Sequence, residues 1–129
     1  KRKIYLIDSQ DAVYGNIAYD LASLIDDVRL KTSTNLKESI FKMFIKLNNH
    51  LDKNKLKNDF EILSVLRNLK IIGIFTRLAE RDRKKKYMKM IPYAWKMIDQ
   101  KISNNLIFKE FELNLNKYLS KKVRLKKWK

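Results

Sequence analysis

The residue types best able to do chemistry are concentrated near the start of the chain. Asp8, Asp11, Asp20, Asp26 and Asp27 fall within a stretch, from Ile4 to Val28, that contains no Lys or Arg. Carboxylates grouped without internal cations suit a hard divalent ion such as Mg²⁺, which takes oxygen ligands. Asp8 stands out among them. It follows Ile4, Tyr5, Leu6 and Ile7, a short run of β-prone apolar residues, so a buried strand would present its carboxylate at the strand's end. The same position also suits an aspartate that merely forms a turn or caps the next helix, and spacing alone leaves both readings open. Gln10 and Asp11 lie beside it and can orient it or face a substrate. With no Cys in the chain, a disulfide framework, a thiolate zinc site and a cysteine nucleophile are all excluded. The single His, His50, lies in the charged connection HLDKNKLK and reads as a solvated loop residue.

The elements that must position these residues are mostly helices. Two Gly and one Pro in 129 residues are too few turn formers for an all-β barrel or sandwich. The 45% apolar content is ordinary for one globular domain spanning residues 1–129. After the strand and a loop marked by Gly15 and Asn16, apolar residues recur at helical spacing from Ile17 to Arg29. Asn35 with Glu38 has the form of a capping box opening a helix to about Asn49, and Asn58 with Glu61 repeats it for the longest helix, ending near Glu80. The middle of that helix, NLKIIGIFTRL, is apolar nearly all round, which predicts a central helix with Gly73 admitting a close neighbour. Tyr87 to Ile102 form a further helix in which Pro92 either makes a kink or marks the true first turn. Residues 106–120 form a last one, and KKVRLKKWK is expected to fray. No apolar run approaches a membrane span and no tripartite signal opens the chain, so the expected location is the cytoplasm.

The net charge is +16, from 30 Lys plus Arg against 14 Asp plus Glu. A basic helical module binding nucleic acid is therefore the rival reading, with RDRKKK and KKVRLKKWK as contact candidates. Against it, Lys outnumbers Arg 23 to 7, and Lys, Asn and Ile together make up 48 residues, the bias of an A+T-rich genome. Arg, preferred for bidentate contacts to phosphates and bases, is not enriched. Nucleic acid is not the expected partner.

Two longer strings carry more information than composition. YLIDSQDAVYGNIAYDLASLIDDVR resembles the segment LIDFQDAxxGxxAYDLASLLxDxR of the aminoglycoside-phosphotransferase-like kinases, and within them the branch of cell-wall sugar kinases acting on N-acetylmuramate and N-acetylglucosamine. RNLKIIGIFTRLAERDRKKKYMKMIPYAW resembles that branch's RNxKILGIFARLxxRDGKxxYLxxLPRxW, in the same order and at a similar distance. The resemblance covers nearly the whole chain. It implies a mainly α fold, the helical carboxyl-terminal part of a protein-kinase-like large lobe, with one short amino-terminal strand and about five helices. It also implies ATP-dependent phosphorylation of a small hydroxylated molecule, an amino sugar first, with choline or an aminoglycoside as alternatives within the superfamily.

By this resemblance Asp8 falls on the aspartate that binds the Mg²⁺ bridging the nucleotide phosphates. Asp20 falls on the aspartate that opens the next helix and braces the catalytic loop. Arg67 and Asn68 match the RN pair on the long helix, for which structural support is expected rather than substrate contact. Two positions depart from the pattern: Ser9 replaces Phe, which loosens or rebuilds the loop, and Arg83 replaces a turn glycine. The nucleotide-covering hairpin, the strand Lys with its Glu partner and the HxDxxxxN catalytic loop that such kinases need are all missing. No catalytic residue is therefore expected in this chain, which begins with Lys1 at the LID strand. ATP and Mg²⁺ belong to the complete enzyme, and neither is expected to bind tightly to this part.

Overall fold

A computed structural model describes residues 3, 5 and 13–126. The described residues form six α-helices: α1 (Ala18–Ile25), α2 (Thr34–Leu47), α3 (Lys53–Glu80), α4 (Ile91–Ile102), α5 (Lys109–Tyr118) and α6 (Lys121–Arg124). Short 3₁₀ turns at Lys85–Met90 and Leu106–Phe108 lead into α4 and α5. The fold is mainly α, as expected, and no described residue lies in a strand. The expected strand falls largely on residues outside the described ones.

The long helix α3 organises everything else. Its apolar residues are spread around its circumference, and it packs against α1 and against α4 and the 3₁₀ turn before α4. Leu56 and Phe60 join Ala18, Leu21, Ala22 and Ile25 of α1 in one buried cluster. Val65 and Phe75 join Ala94, Trp95, Ile98 and Ile102 of α4 in the other. The expected central helix is borne out, with Leu69, Ile71, Ile72, Ile74, Phe75 and Leu78 all in or against the second cluster. At Gly73 the expectation is overturned: a side chain added there would meet no described residue within 4 Å, so no described element packs closely against the glycine. In α2 no residue is fully buried; Ile40, Phe41, Phe44 and Ile45 lean on the first cluster, and the Phe41 and Phe60 rings sit 5.1 Å apart.

Several boundaries differ from the sequence reading for local reasons. α2 is capped by Ser33, whose hydroxyl accepts the Leu36 N–H, not by Asn35. α3 begins five residues before the Asn58 expected to open it, because the Asp52 carboxylate caps it by accepting the N–H groups of both Asn54 and Lys55, two of the donors a helix start leaves without partners. The helix α1 stops at Ile25 rather than Arg29 because the Asp27 carboxylate accepts the Arg29 N–H at 2.8 Å, a side-chain turn that competes with continuing the helix. Pro92 stands in the first turn of α4, where its missing N–H costs nothing. Beyond α3, Arg83 is the only described non-glycine residue with positive φ, at 55°, and the Lys84 N–H reaches back to the Leu78 carbonyl at 2.9 Å.

The carboxyl terminus is the largest departure. Rather than fraying, residues 121–124 form α6, and the Arg124 side chain is fully buried against α4 and α5. Its guanidinium donates to Asp99 at 2.7 Å, to Asn116 at 2.9 Å and to the Leu119 carbonyl, and lies 5.8 Å from the Trp95 ring. Arg124 is thus withdrawn from any surface that KKVRLKKWK could offer a polyanion. None of the described helices is long and apolar enough to cross a membrane.

Candidate functional site

Asp8, Gln10 and Asp11, the expected metal ligand and its neighbours, lie outside the described residues. What the structure describes is the scaffold that follows them. Asn16 fixes the entry to α1: its Oδ1 accepts the Ala18 N–H at 2.9 Å, and its Nδ2 donates to Asp59 on α3 at 2.7 Å. The first turn of α1 is thereby held against the long helix. Asp20 sits in that first turn, exposed, and makes no hydrogen bond or ion pair with a described residue. A carboxylate there faces the positive end of the helix dipole, a favourable place for its charge.

No hydrogen bond or ion pair links Arg67 or Asn68 to Asp20 among the described residues. Asn68 is wholly buried and donates its Nδ2 to the Ser64 carbonyl at 2.9 Å. Arg67 is half-buried, with Nη1 lacking a partner among the described residues. Its charge lies near Asp27, whose carboxyl is held below the ordinary range first by its hydrogen bond to Arg29 and further by Arg67. The pair that resembles the family's RN motif thus lies on the side of α3 that carries Ser64 and faces Asp27.

The most highly charged buried place was not anticipated. Asp26, immediately after α1, is 2% exposed. It accepts from Lys37 of α2 at 2.7 Å and from the hydroxyl of Ser64 of α3 at 2.5 Å, and forms an ion pair with Lys101 of α4 at 3.0 Å. Burial opposes its negative charge, yet Lys101, Lys37 and the Ser64 hydroxyl outweigh that and hold its carboxyl below the ordinary value. One carboxylate therefore ties four helices together. In the sequence Asp26 was legible only as one of five acidic residues, because its partners lie 11, 38 and 75 positions away. Asp26 is occupied by lysines and Asp27 by Arg29, so neither is free to ligate a metal, and no group of three or more metal-ligating side chains occurs among the described residues.

Two pockets flank this node. One, of about 250 Å³, is walled by Ile25, Phe41 and Phe60 with lysines at its rim. The other, of about 480 Å³, lies between the approach to α2 and the face of α4.

No family model and no solved structure matches the chain. Curated proteins do. The chain is 31% identical over 97 residues to the N-acetylmuramate/N-acetylglucosamine kinase of Caulobacter vibrioides, covering 75% of this chain and 27% of that protein. It is 34% identical over 99 residues to the kinase of the same name from Neisseria meningitidis serogroup B, covering 67% and 28%. The kinase of that name from Pseudomonas putida is 28% identical over 103 residues, covering 75% and 30%. Over two thirds to three quarters of its length, this chain is therefore similar to a segment amounting to under a third of proteins named N-acetylmuramate/N-acetylglucosamine kinase.

Proposed function

We propose that this chain is the helical part of an ATP-dependent amino-sugar kinase, with Asp8 as the carboxylate that holds Mg²⁺. The observation that carries this reading is the similarity to three proteins named N-acetylmuramate/N-acetylglucosamine kinase, over two thirds to three quarters of this chain; Asp8 is assigned from the resemblance of YLIDSQDA to the LIDFQDA segment of such kinases. Mg²⁺ bound there would neutralise charge on the nucleotide phosphates during transfer. The chain's own contribution is positional. α1 is pinned to α3 through Asn16 and Asp59 at its start and through Asp26 and Ser64 at its end. Asp20 is then presented on a fixed turn, and its carboxylate, which makes no hydrogen bond or ion pair with a described residue, is available to brace a catalytic loop supplied by the rest of the protein.

Phosphoryl transfer depends on several parts acting together, and residues 1–129 contain neither the catalytic Asp nor the phosphate-covering loop. The chain alone should transfer no phosphoryl group. A polypeptide that also supplies the amino-terminal portion should phosphorylate N-acetylmuramate or N-acetylglucosamine. In that protein Asp8→Asn should lower turnover on the order of a hundredfold or more and raise the Mg²⁺ concentration needed for half-maximal rate. Unchanged turnover and Mg²⁺ dependence would remove Asp8 from the assignment, and an inert longer protein would remove the kinase reading.

A further inference from the structure

We propose that the groove between the first turn of α2 and the outer face of α4 is a binding site for a small phosphate-bearing anion. The groove encloses about 480 Å³ and lies at the opposite end of α1 from Asp20, beside Asp26.

Its charge is arranged, not merely abundant. Lys37, Lys96 and Lys101 line it against two carboxylates, Asp26 and Glu61. Both oxygens of Asp26 are already used, one by Lys37 and the other by Lys101 and Ser64. Glu61 is engaged by the Asn105 amide at 2.6 Å. Three lysines against two carboxylates leave the lining one net positive charge, and Lys96, exposed on α4, makes no hydrogen bond or ion pair with a described residue. Most lysines of a chain this basic are freely rotating surface groups. Lys37 and Lys101 differ, because their side chains are only 21% and 18% exposed and are held by a buried partner. Their ordering is complete before any ligand arrives, which lowers the cost of binding.

Neutral donors converge on the same place. Thr34 opens α2 and lines the groove. The Ser33 cap engages the Leu36 N–H, so the Thr34 and Asn35 N–H groups remain without backbone partners at the positive end of a 14-residue helix. Gln100 lies one turn beyond Lys96 on α4 and also lines the groove. A phosphate group, with several terminal oxygens and up to two charges, can accept from Lys96 and Lys37 together with the polar groups of Thr34 and Gln100, all of which line the groove. A nucleic acid strand fits less well. The aromatic residue lining the groove is Tyr93, one face of which is taken by Lys31 at 5.6 Å, so the groove lacks the succession of aromatic platforms on which the bases of a strand stack.

The test is calorimetric titration of the purified protein with inorganic phosphate, against chloride at equal ionic strength. We expect saturable binding of one phosphate, weakened at least about tenfold by Lys96→Glu. Lys42→Glu makes the same charge change at an exposed position of α2 outside the groove and should leave the affinity within about twofold. Equal weakening by the two variants would show that phosphate reads only the net charge and would overturn the site. So would heat no greater than that of chloride. Displacement of phosphate by a single-stranded oligonucleotide with a steep salt dependence would replace the proposal with a nucleic-acid surface.

Discussion

The hydroxyl of Ser64, in the middle of α3, donates a 2.5 Å hydrogen bond to the carboxylate of Asp26 at the end of α1. That contact joins the two apolar clusters of the molecule, since Asp26 follows Ile25 of the first and Ser64 precedes Val65 of the second. Lys37 and Lys101 complete the arrangement from α2 and α4. A buried charge of this kind adds less through its own attraction than its removal would cost, because each partner left behind is desolvated and unpaired.

Asp26→Asn should therefore cost about 3 kcal/mol at neutral pH, and the loss should depend on pH in a defined direction. The Asp26 carboxyl is held below its ordinary value of 3.8 in the folded protein. Its stabilisation is then fully present above that unfolded value and is lost as pH falls through the lower folded one. Urea midpoints from neutral pH downward should show the wild type and Asp26→Asn converging below about pH 4. A gap as wide in acid as at neutrality would show that the carboxylate charge is not what matters.

Arg83 adopts a left-handed backbone conformation with φ at 55°, where a side chain is strained and glycine is not. Arg83→Gly should raise stability by about 1 kcal/mol, visible as a higher thermal midpoint. Arg83→Ala removes the charge but keeps Cβ, and it should give less than half of that gain. If alanine matched glycine, relief of like-charge repulsion within RDRKKK would be the cause instead.

Arg124 fastens the end of the chain through Asp99, Asn116 and the Leu119 carbonyl. Arg124→Ala should cost about 3 kcal/mol by stranding Asp99, and amides around residues 119–125 should lose hydrogen-exchange protection before those of α3. Arg124→Lys should recover little, because a point charge cannot reproduce the guanidinium fork. Protection unchanged in the alanine variant would mean that α6 is held by apolar contacts alone.

The sequence by itself determined what depends on near neighbours. Apolar residues spaced at the helical period placed α2, α3 and α4 to within a few residues, and the all-round apolarity of NLKIIGIFTRL marked α3 as central, as its contacts with α1 and α4 bear out. Pro92, which the sequence left as either a kink or a first turn, stands in the first turn of α4, where its constraint is harmless. The two strings resembling a sugar-kinase branch agree with the similarity to curated kinases of that name, although the expected metal ligand Asp8 lies outside the described residues. Only the tertiary structure decided which of several equivalent polar residues would be buried. Ser33 rather than Asn35 caps α2, and Asp26 rather than its neighbour Asp27 turns inward. Arg124, from a run that reads as a solvated tail, became one of the most deeply buried side chains. Local composition does not distinguish these residues from their neighbours, because a buried charge is tolerated only where distant elements bring its partners within hydrogen-bonding distance. For Asp26 those elements are α2, α3 and α4, and their meeting is a property of the packed chain rather than of any segment of it.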